Sequence, residues 1–460
     1  MRILLVKPPS DSYFVFLPIG LGYIAAYLND KAKDVEIKIL NCILEKYNHN
    51  DFAEYVKEFK PDLVGITAFT VEIKSALKCC QIVKTIDNRT TTVIGGPHTS
   101  NMPEQVLSDE NVDFIFRNEA EIGFFEFVNE LMNNNNFKNV TNLGYKADGE
   151  IKLNPVKVID NLDDIPFPDY ELMGFERYPK TYKMKYYPSA SIITSRGCPF
   201  PCTFCSAGKV SGKKYRSRSP ANIIKEINLL KQKNKIKEFL IWDDNFSLNK
   251  SRVHEFCDLL IKEEINLPWW CSNGLRTETL DEELIIKMRN SGLYAIILGI
   301  ETGTDKIQKD MKKNLDFNEI RRVIEIGYKH GIRMEGFFII GYPTETREDI
   351  LETIKLSLEL PLRKASFFLF QPLVGSEIYE DLEKEGRLKD IDVGNAEWSR
   401  PSVLPIGFES ERELKQLQRK AILSFYLRPR VFFPFIIENL SVDQLKELGS
   451  MVNRYILFKN

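Results

Sequence analysis

Nowhere in the 460 residues does an uninterrupted apolar stretch approach the ~18 needed to cross a bilayer. The richest windows, such as Val431 to Ile437, are short and contain a proline. The first residues, Met1-Arg2-Ile3-Leu4-Leu5-Val6-Lys7-Pro8-Pro9, hold an apolar run too brief for the core of a secretory signal, so a cytoplasmic chain is expected. A basic excess is missing as well. Lys plus Arg number 63 against 65 Asp plus Glu, which disfavours nucleic acid as the main partner. Histidine is scarce, with four in all. What is present is the composition of an ordinary soluble protein, 43% apolar and 28% charged, at a length that predicts two or three domains.

From Arg2 to Met132, short β-branched runs alternate with longer segments of helical spacing, the pattern of a parallel sheet covered by helices. Strands are expected at 2–6, 36–40, 62–68, 91–94 and 112–116. Residues 133–189 read as a linker: four consecutive asparagines from Asn133, a hairpin signal at Asp148-Gly149, and Leu162-Asp163-Asp164-Ile165-Pro166-Phe167-Pro168. A second βα series begins at Ala190, with strands at 191–194, 238–242, 269–272, 294–299, 335–340 and 365–370. Six units predict a partial (β/α)6 barrel through residue 379, with its chemistry at the carboxyl ends of the strands. Residues 380–460 read as mainly helical.

Three of the eight cysteines fall in one loop, Ser195-Arg196-Gly197-Cys198-Pro199-Phe200-Pro201-Cys202-Thr203-Phe204-Cys205. Three neighbouring thiols cannot all pair, and disulfides are unusual in an unexported chain, so metal binding is the better reading. A cubane iron-sulfur cluster normally takes four thiolates; three leave one iron open to another ligand. Zinc with a fourth ligand from elsewhere is the alternative, although the histidine closest in sequence is His254.

With CxxxCxxC and an aromatic residue, Phe204, before the last cysteine, the sequence resembles the radical S-adenosylmethionine (SAM) superfamily. Supporting segments are Trp242-Asp243-Asp244-Asn245, Asn273-Gly274-Leu275-Arg276, Gly299-Ile300-Glu301-Thr302-Gly303 and Gly341-Tyr342-Pro343-Thr344-Glu345-Thr346. The resemblance implies that Cys198, Cys202 and Cys205 hold a [4Fe-4S] cluster whose open iron chelates SAM. It further implies that SAM is cleaved to a 5'-deoxyadenosyl radical in an oxygen-sensitive enzyme. Phe204 is expected against the adenine, Arg276 and Glu301 at polar groups of SAM, and the backbone at Gly341 along its pocket. A loop-anchoring ion pair is the plainer role for Arg276 and Glu301.

The first domain resembles the Rossmann-like cobalamin (B12)-binding module that precedes some radical SAM barrels, a group including hopanoid methylases and the anaerobic cyclase of bacteriochlorophyll synthesis. The matching segments are Pro18-Ile19-Gly20-Leu21-Gly22, Pro61-Asp62-Leu63-Val64-Gly65, Gly95-Gly96-Pro97-His98 and Val112-Asp113-Phe114-Ile115. The resemblance places Pro9, Ser10, Thr67, Phe69, Gly95, Gly96, Pro97, His98 and Glu119 around cobalamin. Asn118 and Asn41 stand where that group usually has Gly and Asp. No DxHxxG occurs, so cobalt is expected to lack a histidine ligand.

Cobalamin-dependent methylation of an unactivated carbon is the leading expectation. Cyclisation, rearrangement or oxidation, and a non-catalytic metal-binding or sensor role, are its rivals. The expected partners are a small-molecule or lipid-like substrate and an electron donor such as flavodoxin or ferredoxin. The aromatic and basic stretch from Phe425 to Phe435 suits either a lipid surface or packing on its own domain.

Overall fold

The computed structural model describes residues 1–10, 15–181, 184–388, 401–438 and 449. They form two units, one of Met1–Pro179 with Ser206–Lys213, the other of Lys180–Cys205 and the described chain from Lys214 on.

The first unit is built on strands β1 (Arg2–Lys7), β2 (Glu36–Asn41), β3 (Leu63–Thr67), β4 (Thr91–Gly95), β5 (Phe114–Phe116), β6 (Leu143–Ala147) and β7 (Glu150–Leu153). Their order in the sheet is β2-β1-β3-β4-β5-β6-β7. The first five are parallel, as their apolar runs require, because helices cover both faces and leave two separate cores. The chain order reverses between β1 and β3, which makes the crevice beyond their carboxyl ends the place for a ligand in an open α/β sheet.

The segment read as a linker differs from that expectation. The Asp148-Gly149 hairpin is present, but β6 pairs antiparallel with β5, so β6 and β7 extend the sheet and the unit continues to Pro179. Pairing between β5 and β6 joins residues far apart in sequence, and no local turn signal reports it.

The second unit holds β8 (Ser189–Ile192), a two-residue ribbon of β9 (Ser195–Arg196) with β10 (Arg216–Ser217), then β11 (Glu238–Ile241), β12 (Trp269–Leu275), β13 (Leu293–Glu301), β14 (Arg333–Ile340) and β15 (Lys364–Leu369). Six of these make a parallel sheet in chain order, β8-β11-β12-β13-β14-β15, which is the expected partial barrel. Helices clamp its outer face: Trp269 stacks on Phe239 and meets Phe246 and Phe256 edge-on. The inner face is different. Along β14 the residues alternate between half-buried (Arg333, Glu335, Phe337, Ile339) and buried (Met334, Gly336, Phe338, Ile340). One side of the strand is therefore packed and the other is reached by solvent.

Of the helical region expected over 380–460, residues 389–400, 439–448 and 450–460 lie outside the described residues. The helix Glu411–Tyr426 belongs to the barrel unit: Gln418 donates to the Phe367 carbonyl at 2.8 Å and the Tyr426 hydroxyl to that of Ala365 at 2.9 Å. Phe425 is fully buried against Phe367, so this part of the aromatic stretch packs on its own domain, whereas Phe433 is exposed.

Candidate functional site

The cysteine loop is anchored before it begins. The buried carboxylate of Asp243, just past β11, accepts from the Thr194 N–H at 2.6 Å, from the Ser195 hydroxyl at 2.6 Å and from the Thr194 hydroxyl. This ties the ends of β8 and β11 together. Beyond that knot Cys198 and Cys202 are half-buried and Cys205 is exposed, and none of the three is in a disulfide. The other five cysteines are buried, and desolvation pushes their thiols up, Cys42 and Cys257 to about 12. Cys271 is among them. It shares the helix-covered face with Trp269 and is a core residue.

Midway along the loop, the Thr203 N–H donates to the Met311 carbonyl at 3.0 Å, its carbonyl accepts from Ile378 at 3.0 Å, and its hydroxyl lies 2.7 Å from that of Tyr342. Tyr342 follows Gly341, whose φ of +87° needs glycine. The Gly341 and Tyr342 N–H groups both donate to Glu345 Oε2, at 2.6 and 2.9 Å. Burial pushes the Glu345 carboxyl up to about 8, so it carries a proton at neutral pH.

Arg276 reaches the same loop. Its guanidinium lies 3.9 Å from the Phe200 ring centroid, donates toward Cys202 Sγ at 3.5 Å and to Glu278 at 2.5 Å, and also donates to the Lys313 carbonyl. The Lys313 ammonium is in turn 3.2 Å from Glu301 Oε1, both side chains being buried. Lys313 draws the Cys198 thiol down against the larger upward push of burial. Lys313 was not among the sequence candidates. Its neighbour Lys312 is an exposed partner of Glu377, and nothing in the sequence separates the two lysines.

Among the described residues, no three His, Cys, Asp or Glu side chains converge as the ligands of one metal ion do. A closed zinc site demands such convergence. A cubane takes each thiolate on a different iron, which spreads the ligands more widely. Three thiols on one loop, with the Arg276 guanidinium donating toward Cys202 Sγ, therefore fit the cluster.

In the first unit, the crevice between β1 and β3 carries a fixed aromatic ring. Lys7 pairs with Glu72 at 2.6 Å and sits 4.6 Å from the ring centroid of Phe69, whose N–H donates to Glu72 at 3.1 Å. Phe69 is itself 53% exposed. Gly96 has φ +103°, and a Cβ there would lie 2.8 Å from the Ala68 carbonyl oxygen. That glycine thus serves the close approach of two loops. His98 is 1% exposed, with Nδ1 3.2 Å from Thr70 Oγ1 and Nε2 3.2 Å from Gln105 Oε1; burial pushes its pKa down and keeps the ring neutral.

Comparison with known proteins agrees with both units. Residues 192–357 match the model of the radical SAM superfamily, and residues 10–128 that of the B12 binding domain. An uncharacterised methyltransferase of Pyrococcus horikoshii, PH0819, is 32% identical over 95% of both chains. The chain belongs to the B12-binding branch of the radical SAM superfamily. The cytidylyl-2-hydroxyethylphosphonate methyltransferase of Streptomyces wedmorensis is 28% identical over 84% of this chain and 82% of its own. Among solved structures, the radical SAM methyltransferase TsrM of Kitasatospora setae, with cobalamin and a [4Fe-4S] cluster bound, has the same fold: TM-score 0.70 at 16% identity, covering 84% of this chain and 78% of that one. The two matching models point this radical SAM enzyme to SAM and to cobalamin as cofactors.

The structure brings the SAM candidates Arg276 and Glu301 together through Lys313 and leaves Phe204 partly exposed in the loop. Gly341 is buried, with its N–H held by Glu345. Of the cobalamin candidates, Ser10, Thr67, Gly95, Gly96, Pro97 and Glu119 are partly exposed, and Phe69 more so. Pro9 is buried with its carbonyl taken by Ser75, and His98 is buried with both ring nitrogens engaged. The two departures from the group's usual residues are accommodated locally. Asn118 adopts φ +57°, a conformation asparagine tolerates better than most residues. Asn41 caps a short helix by accepting from Ile43 and Leu44.

Proposed function

We propose that this radical SAM enzyme is a cobalamin-dependent methyltransferase acting on an unactivated carbon of a small molecule. The observation that carries the reading is one loop presenting three accessible thiols beside Arg276, in a chain that also holds a B12 binding domain. The methyltransferase names of two relatives support it. When bound, the cofactors supply hydrogen abstraction by a SAM-derived radical and delivery of a methyl group from cobalt.

The chain's own residues divide the remaining work. Cys198, Cys202 and Cys205 ligate the cluster. Arg276 and Lys313 supply positive charge next to the loop, where the carboxylate of SAM is to be held, and Glu301 accepts from its polar N–H or O–H groups. Phe204 offers a ring face to the adenine, and the turn at Gly341 walls the pocket. Ser10, Thr67, Phe69, Gly95, Gly96, Pro97 and Glu119 line the corrinoid crevice. His98 adds contact there but no cobalt ligand, because both nitrogens are already used. A cytoplasmic setting suits eight cysteines none of which forms a disulfide, and a flavodoxin or ferredoxin supplies the electron. No described helix is long and apolar enough to cross a membrane.

The test is anaerobic incubation of the reconstituted enzyme, SAM labelled in its methyl group, and a small-molecule extract of the source cells. Label in a carbon-bound methyl of a product is the expected result. A product without label points to cyclisation, rearrangement or oxidation. Intact SAM over a bound, reduced cluster points to a sensor.

A further inference from the structure

The stretch Ser206–Lys213 follows Cys205 without a break, yet it belongs to the first unit, whereas the cysteine loop belongs to the second. Its short helix, Ala207–Val210, cannot bond its own last carbonyls. Those of Lys209 and Val210 accept instead from the side-chain amide of Asn118, at 2.6 and 2.9 Å. An amide nitrogen carries two hydrogens, so one side chain serves both carbonyls. These bonds join residues 91 and 92 positions apart, and helix formation by itself does not require them.

Asn118 is itself held from the other side. Its N–H donates to Ser100 Oγ at 2.8 Å, and the Ser100 hydroxyl donates to the Gly96 carbonyl at 3.0 Å. Gly96 is the residue whose φ of +103° allows the close approach to Ala68, and it is one of those assigned to the cobalamin crevice. A continuous series of hydrogen bonds therefore runs from the Gly96 turn through Ser100 and Asn118 to the chain that leaves Cys205. Glycine at position 118 would suit the φ of +57° and supply no side-chain donor. Asparagine adds the link.

We infer that Asn118 is a positioning residue that couples the two cofactor sites. Ligation of the cluster by Cys205 fixes the helix that follows it, and Asn118 carries that constraint to the Gly96 turn, so the chain binds cobalamin more tightly with its cluster than without. The ordering of the turn is then shared between the two binding events rather than repeated. The inference rests on the cluster reading for Cys205 and the cobalamin reading for Gly96.

The test is equilibrium dialysis of hydroxocobalamin, without oxygen and without SAM, against the full-length chain with and without its reconstituted cluster. The expected wild-type result is a dissociation constant about five- to 150-fold lower for the clustered form, the usual span of coupling between two sites. In Asn118→Gly, which keeps the backbone conformation and removes the amide, the ratio falls toward one while the cluster-free affinity stays at the wild-type value. Asn118→Asp, which sets an acceptor against two carbonyls, lowers the ratio as well. A residue that only caps a helix would lower the melting temperature and leave the ratio unchanged. Equal dissociation constants in the wild type, or a ratio that persists in the Asn118 variants, overturns the inference. Ser100→Ala breaks the series at its other end and is expected to lower the ratio too; it decides the matter if the Asn118 variants do not fold. Failure of the wild type to retain hydroxocobalamin sinks the cobalamin reading and this inference with it, whereas retention at one affinity in both forms sinks this inference alone.

Discussion

The hydroxyl of Tyr342 meets that of Thr203 at 2.7 Å, joining the turn after β14 to the middle of the cysteine loop. Thr203 lies beside Cys202, so the bond fixes the cysteine loop from outside it. Tyr342→Phe keeps the buried ring and removes the bond, at a cost of about 1 kcal/mol. The expected outcome is a small fall in melting temperature with faster loss of iron to a chelator, followed by the cluster absorbance. Iron loss at the wild-type rate would show that the bond does not hold the loop.

Glu345 gives the protein a pH dependence with a definite sign. Its folded pKa of about 8 lies above the ordinary value of 4.5, so the folded state holds the proton more tightly than the unfolded chain. The stabilisation is fully present below about pH 4.5 and is lost as pH rises to about 8. Glu345→Gln still offers a carbonyl to the Gly341 and Tyr342 N–H groups and does not titrate. Urea midpoints between pH 5 and 8, on the order of that window, are expected to fall for the wild type relative to the variant; parallel curves would refute the assignment.

The Glu301 and Lys313 pair is buried, so removing one partner strands a charge. Glu301→Gln and Lys313→Met are each expected to destabilise by about 3–5 kcal/mol, and the double variant by less than their sum. Chemical denaturation of the four proteins in the cycle measures the coupling. Simple additivity would mean that the two side chains do not depend on one another.

Two adjacent glycines at the end of β4 should respond differently to alanine. At Gly96 the new Cβ meets the backbone of Ala68 at 2.8 Å in a left-handed conformation, whereas at Gly95 its nearest neighbour is Phe116 at 3.8 Å. Gly96→Ala is expected to cost about 1–3 kcal/mol and to lower the cobalamin content of the purified protein. Gly95→Ala is expected to leave stability near the wild type. Thermal melts with corrinoid absorbance check both.

The parts of the molecule that could be read from sequence are those fixed by neighbours in the chain. The strands of both sheets follow from β-branched runs such as Leu63 to Thr67, and the cysteine loop declares itself through spacing alone. The parts that could not be read depend on distant partners. The Asp148-Gly149 hairpin was visible, but its docking on β5 was not, because that register is set between Phe114 and Tyr145. Glu345 lay within a quoted motif, and only the fold shows that its carboxyl rather than Gly341 organises the turn. Lys313 stood among other lysines until burial singled it out.

The alternation along β14 has a consequence for variation among proteins of this design. Met334, Gly336, Phe338 and Ile340 are pinned by surrounding structure, and Arg333 and Glu335 are tied to each other at 2.6 Å, while Phe337 and Ile339 bear less of the architecture. Exchanges at these last two positions can reshape the inner face without disturbing the scaffold. Specificity and foldability are thereby written on alternate letters of the same strand, and one can drift while the other stays constant.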